Sequence, residues 1–177
     1  FNRIFRILDP KQFEHVFRRW VSGVVGALRE NVAIDGKALR GSATAGDSAV
    51  HMVSAFATRM GIALGQEKVA DKSNEITAIP RLLEVLGLKG CVVTIDAMGC
   101  QKAIAHPIVE GGGDYWLGLK GNQSQLHEKV KNLMDEAILE KFAGMRHDFI
   151  EQVDGDHGRI EIRRMWCTPE GKWLGKP

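Results

Sequence analysis

At 177 residues, with 44% hydrophobic and 26% charged residues, the chain has the size and make-up of one soluble globular domain, which excludes disordered and fibrous classes. Lys and Arg number 24 against 22 Asp and Glu, a net charge of +2, so a nucleic-acid site must be a local patch and not a global bias. The three cysteines, Cys91, Cys100 and Cys167, form no CxxC pair, which argues against zinc or a redox couple and reads as reduced thiols in a cytoplasmic protein.

Residues 1–30 space Ile4, Ile7, Leu8, Phe13, Val16, Phe17, Trp20, Val21, Val24 and Leu28 mostly by three or four, an amphipathic helix pattern. Asp9 is its expected N-cap and Pro10 its first helical residue. The run "VSGVVGAL" at 21–28 is far shorter than the roughly 20 residues that span a bilayer, so no membrane segment is expected. The period then changes to two. "NVAID" is a short strand, and "AVHMVSAFAT" (49–58) and "GIALGQEKVA" (61–70) form an antiparallel hairpin turning at Arg59 and Met60. "SNEITAIPRLLEVLGLKG" predicts a helix capped by Asn74 or Thr77 and stopped near Gly87, with Pro80 either in its first turn or kinking it. "CVVTID" is nearly all apolar and β-branched, as in a strand covered on both faces. A helix follows to the turn at Gly111–Gly113, then a fifth strand, "YWLGLK" (115–120), and a longer helix, "SQLHEKVKNLMDEAILEKF". Last come "FIEQV" and "RIEIRRMWC" around the turn "DGDHG" at 154–158. A meander followed by alternating helices and strands predicts an α/β fold: a mixed five-stranded sheet flanked by helices, with strand four parallel to strand one.

Two of these strands end on an acid, Asp35 in "VAIDGK" and Asp96 in "VVTIDAMGCQ". Adjacent carboxylates repel, and such a pair persists with a shared proton or a bound cation. Oxygen-only ligands suit Mg²⁺ or Mn²⁺, which can activate a water or hydroxyl at a phosphodiester. Structural roles explain the same residues: Asp35 before Gly36 as a tight-turn residue, and Asp96 as the N-cap of a helix starting near Gly99. Spacing alone does not choose between them.

The blocks "VAIDGKALRGS", "HMVSAFA", "GQEKVADKSNEITAIPRLLEVLGLKGCVVTIDAMGCQKAIA" and "GGDYWLGLKGNQSQLHEKV" closely resemble the H-repeat-associated, As1-type insertion-sequence transposases, from about residue 30 onward. The resemblance implies a ribonuclease H-like core in which an Asp, Asp, Glu triad and a divalent metal cut and rejoin transposon DNA. Asp35 takes the place of the first acid and Asp96 of the second, as catalytic residues and metal ligands. The third acid of the family lies in a downstream "HW-x-IEN" type of helical motif, and no such motif occurs here. Glu161 in "HGRIEIRR" alternates onto one strand face with Arg159 and Arg163, so an ion-paired strand is its simpler reading. The chain is accordingly expected to be truncated at both ends: an N-terminal helical segment (1–30), a partial core (31–145) and the start of a β-rich insertion (146–177).

Lys37 and Arg40 follow the first acid, Gln101 and Lys102 the second, and Lys120, Asn122 and Gln123 the fifth strand. These loops are expected to open on the edge where the acids sit and to hold DNA phosphates without reading sequence, Lys102 and Lys120 foremost. His51 and His127 read as a sheet residue and a helix-surface residue, and His157 as part of a turn. Trp116 is expected in the core, while Trp166 and Trp173 read as surface normally covered by missing chain. The reading is thus a transposase core acting on double-stranded transposon and target DNA, homo-oligomeric in the intact enzyme and inactive as a fragment. A non-catalytic remnant that binds DNA or transposase and another ribonuclease H-like nuclease are the alternatives.

Overall fold

A short helix, α1 (Asn2–Ile7), gives way at Pro10 to α2 (Pro10–Val25). Asp9 Oδ1 accepts the N–H groups of Lys11 at 2.9 Å and Gln12 at 3.0 Å, so it caps α2 as the sequence predicts. The computed structural model describes residues 2–25, 29–43, 49–69, 75–156 and 158–171. Residues 1–122 and 123–177 form two compact units, whereas the sequence pattern divides at 30/31 and 145/146.

The first unit is built on a five-stranded sheet. β1 (Asn31–Leu39), β2 (Val50–Ala57) and β3 (Ile62–Val69) form an antiparallel meander, its β2–β3 turn closing at Gly61 with φ +70°. β4 (Val92–Ile95) then returns parallel beside β1, and β5 (Asp114–Leu117) parallel beside β4, giving the order β3-β2-β1-β4-β5. This is the mixed sheet that the alternation of elements predicts. Two helices supply the crossovers, α3 (Glu75–Glu84) into β4 and α4 (Lys102–Glu110) into β5. Val32, Ile34, Val53, Val93 and Ile95 of the sheet meet Leu82 and Leu83 of α3 and Ile104 and Ile108 of α4 in one buried cluster.

Two expectations need correction here. Thr77 lies inside α3 and so is not its cap, while Asn74 falls outside the described residues; Pro80, the sixth residue, takes the interior position of the two that the sequence leaves open. The helix forgoes one hydrogen bond at Pro80 and is held by burial of Ala78, Ile79, Leu82 and Leu83 against the sheet. Trp116 is 67% exposed, not core, because β5 is the last strand of the sheet, with Tyr115 exposed beside it. An apolar run signals burial only where both faces of its strand are covered.

In the second unit α5 (Ser124–Leu139) precedes an antiparallel hairpin, β6 (Asp148–Asp156) and β7 (Arg159–Cys167). The strands run further than "FIEQV" suggests, to Asp156 and from Arg159; His157 and Trp173 lie outside the described residues. Trp166 is half-buried, stacking on Phe142 and Phe149, while Ile150, Val153, Ile160 and Ile162 are exposed. His127 is half-buried on α5. Among the described residues no helix is long and apolar enough to cross a membrane.

These positions separate two large apolar residues. Leu82→Ala, at 1% exposure, is expected to cost about 2–5 kcal/mol in urea unfolding. Trp116→Ala should stay within about 0.5 kcal/mol, and a loss like that of Leu82 would put Trp116 back in a core.

Candidate metal centre at the ends of two parallel strands

The register of β1 and β4 sets Ile34 opposite Ile95, and the next residue of each strand is an acid. Neighbouring strands lie about 4.8 Å apart, so Asp35 and Asp96 leave adjacent strands at one level. Both residues are exposed at this edge while the isoleucines before them are buried. Asp35 is not a turn residue: β1 continues past it, pairing Asp35 with Ser54 and Gly36 with Val53 of β2. β4 instead ends at Ile95, and Asp96 begins a 3-10 turn, Ala97–Gly99. Asp96 Oδ1 accepts the Met98 N–H at 3.0 Å, and its carbonyl accepts the Gly99 N–H at 3.0 Å. It therefore caps a turn, as one reading has it, though not α4, which starts at Lys102 behind Gln101.

The two aspartates line one cavity of about 100 Å³, floored by Ile34 and Ile95. Gly36 and Glu75 line it too. Glu75 opens α3 and is 8% exposed, with Glu30 one of two charged residues buried among the described residues. It lies so close over Gly36 that an added Cβ would come within 2.4 Å of Glu75 Cδ. Sequence reasoning does not single out Glu75, because an acid in a helix's first turn has an ordinary explanation in the helix dipole. Its signal is the pairing of an acid with a glycine from a distant strand, which only the fold supplies.

Among the described residues no three His, Cys, Asp or Glu side chains stand together at metal-holding spacing. Two carboxylates with the remaining positions left to water or phosphate oxygens is nonetheless how Mg²⁺ is commonly held, so the donor set fits a hard divalent ion. Cysteine ligation is disfavoured: Cys91 is fully buried, and burial pushes its thiol, like that of Cys100, above the ordinary value and so away from the thiolate that binds metal.

The expected DNA contacts are spread over several elements. Lys37 stands two residues from Asp35 on the same strand, its Nζ 3.9 Å from Asp35 Oδ2, with 75% and 64% of the two side chains exposed. Such an exposed pair contributes little. Arg40 begins the 3-10 turn that follows β1. Lys102 is the exposed first residue of α4, and Lys120 is exposed after β5. Asn122 is exposed as well, yet its Nδ2 donates to the Ala97 carbonyl at 2.6 Å. Gln123 is half-buried and begins the second unit, and His51 is half-buried in β2. In that second unit Glu161 pairs with Arg163, which also binds Asp154 at 3.0 Å, so Glu161 is tied into an ion-paired hairpin.

A model of the transposase DDE domain matches residues 26–167. An "Uncharacterized protein in dhlA 3'region" of Xanthobacter autotrophicus is 43% identical over 98% of the chain, which covers 59% of that protein. A protein of Escherichia coli O157:H7 provisionally named transposase YncI is 43% identical over 98% of the chain, with 46% of its own length covered. An H repeat-associated protein of Escherichia coli K12, provisionally named transposase YbfD, is 39% identical over 91% of the chain and covered over 64%. The chain thus spans between about half and two thirds of the length of these relatives.

The Gly36–Glu75 contact is open to a double-mutant cycle. Gly36→Ala should cost about 1 kcal/mol, the low end for overpacking, since a side-chain end and not backbone must yield. In a Glu75→Ala background the same substitution should cost less, by about 0.5 kcal/mol or more. Strictly additive losses would mean that the carboxylate does not rest on Gly36.

Proposed function

Since the chain belongs to the transposase DDE-domain family, we propose that it is the metal-dependent core of an enzyme that cuts transposon DNA and joins it to a target. The observation that carries the reading is the shared cavity of Asp35 and Asp96 at the ends of two parallel strands. In this reading both aspartates hold Mg²⁺ or Mn²⁺ through carboxylate oxygens. Such an ion, when bound, makes a water or a 3′-hydroxyl nucleophilic and steadies the leaving oxygen of a phosphodiester. The β1 ladder holds the backbone of Asp35, and the Met98 N–H holds the carboxylate of Asp96, so both acids are placed before substrate arrives.

Double-stranded DNA is the partner. Lys37, Arg40, Lys102 and Lys120, with Asn122 and Gln123, would bind backbone phosphates, which fix register without reading bases. Residues 1–30 would precede the core (31–145), β6 and β7 would open an insertion (146–177), and the intact enzyme would act as a homo-oligomer. The family's third acid belongs to a motif with no counterpart in these 177 residues, so the chain by itself is taken to be inactive or nearly so. A second reading, a DNA-binding protein without catalysis, draws on the absence of a three-acid cluster among the described residues.

Mn²⁺ titration followed by electron paramagnetic resonance tests the centre. Asp35→Asn and Asp96→Asn should each weaken binding by about tenfold or more, the scale of losing a ligand or its supporting shell. In DNA binding, Lys102→Ala and Lys120→Ala should each reduce the salt slope by about 1. DNA binding indifferent to EDTA and to Asp96→Asn would favour the second reading. Robust cleavage by the chain with Mg²⁺ or Mn²⁺, abolished by Glu161→Gln, would move the third acid to β7.

A further inference from the structure

Asn122 stands out because its side chain is exposed, as a DNA contact should be, yet is spent inside the molecule. Its Nδ2 donates at 2.6 Å to the carbonyl of Ala97, the residue after Asp96 and 25 positions earlier in the chain. That carbonyl also accepts the Cys100 N–H at 3.3 Å, so both of its lone pairs are engaged. The loop that carries Asn122 touches the same turn a second time. The Gly118 N–H donates to the Ile95 carbonyl at 3.0 Å, and a Cβ at Gly118 would come within 3.0 Å of Ala97 N and 3.3 Å of Asp96 C. Residues 118–122 thereby hold two peptide units of this turn: Gly118 the one that carries the Ile95 carbonyl, and Asn122 the one that carries the Ala97 carbonyl together with the Met98 N–H.

We propose that Asn122 is a positioning residue for Asp96. Through the Ala97 carbonyl it fixes the peptide unit whose Met98 N–H caps Asp96 Oδ1, and so the direction in which the carboxylate leaves β4. The proposal rests on the reading of Asp96 as a metal ligand, and it deepens that reading by assigning the residue that aims it. The division of oxygens on Asp96 shows why aim is at issue. Oδ1 already accepts the Met98 N–H at 3.0 Å, which leaves Oδ2 the freer oxygen for an ion, and rotating the Ala97–Met98 peptide unit would carry that N–H and the cap with it. A mispositioned cap leaves Oδ1 and Oδ2 interchangeable and the ligand loosely placed. Groups that orient metal ligands in this way typically govern about 10–100-fold in metal affinity.

Asn122→Asp is the informative variant, being isosteric but with oxygen in place of the donating nitrogen. Measured on the whole chain without DNA, it should bind Mn²⁺ about tenfold more weakly than the parent, while Asn122→Gln, which keeps a donor on a longer arm, should recover part of the loss. Metal-free hydrogen exchange supplies a second readout: the Met98 and Gly99 amides should exchange faster in Asn122→Asp, with the amides of β1 and β2 unchanged. If Asp96→Asn loses the metal while Asn122→Asp keeps parental Mn²⁺ affinity and parental exchange at Met98 and Gly99, the positioning role is overturned and the centre stands. Loss of DNA affinity alone in Asn122→Asp overturns it in favour of a phosphate contact. Should Asp96→Asn leave Mn²⁺ binding intact, Asp96 is no ligand and the proposal falls with it. If Asn122→Asp does not fold, Asn122→Ser takes its place in both measurements: weaker Mn²⁺ binding with faster Met98 and Gly99 exchange supports the role, and parental values of both overturn it.

Discussion

The parallel pairing of β1 with β4 is the constraint on which the site depends. Once Ile34 faces Ile95, the following acids have no choice but to emerge side by side. Two unit charges at strand spacing of about 5 Å repel by about 3 kcal/mol at an effective dielectric near 20. Exposure of the Asp35 side chain, at 64%, reduces that figure further. The penalty is of the order of what one buried Leu contributes, and Leu82, Ile104 and Ile108 of the helices are buried in one cluster with Val32 and Val93 of the same sheet. A core of this size tolerates the pair without any cation, so the acids can stand ready at the sheet edge.

What distinguishes the two acids is how each is held. Asp35 lies inside a nine-residue strand, paired with Ser54 of β2 and one residue past the end of the β4 pairing, and its place is secured by the β1–β2 ladder. Asp96 follows a four-residue strand and has no ladder beyond it. Its place is secured by close packing of backbone instead. A Cβ at Gly99 would fall 2.3 Å from Ile95 Cγ2, so the turn can fold back over its own strand only because that residue is glycine. Gly118 plays the same part from β5. A short strand ending in a tight turn is the cheaper way to halt a chain abruptly at an edge, and it moves the burden of precision onto neighbouring segments.

Much of this is legible in the sequence, and the failures have physical causes. "CVVTID" announces a buried strand ending on a charge, because an apolar β-branched run and an acid are incompatible inside a sheet. The hairpin at Arg59–Gly61 and the cap at Asp9 are legible because turns and caps are decided by a few adjacent residues. Trp116 misleads because strand order, and hence which strand is the edge, depends on contacts between distant segments. Pro80 leaves two positions open because only the burial of α3 against the sheet, which outweighs local propensity, decides that the helix runs through it. Glu75 and Asn122 are invisible in their roles for the same reason: each acts on a residue far along the chain, Gly36 and Ala97, through a contact that no periodicity encodes.

The near balance of 24 basic and 22 acidic residues hides a local arrangement with a direction to it. Acids at the centre are anchored by strands and turns, with a buried Glu75 adding to them, whereas the lysines around them are exposed and long. Lys37, at 3.9 Å and 75% exposed, is a weak counter-charge for Asp35. A divalent ion within about 2.1 Å of a carboxylate oxygen is far stronger, being doubly charged and at half the distance. The cavity by itself repels a phosphate, and exposed lysines can attract DNA to the surface without neutralising the centre. On the proposed reading, the ion is therefore the condition for a phosphodiester to approach the two aspartates at all. On that same reading the anchored acids and the exposed lysines divide the work, the first selecting the ion and the second gathering the polyanion.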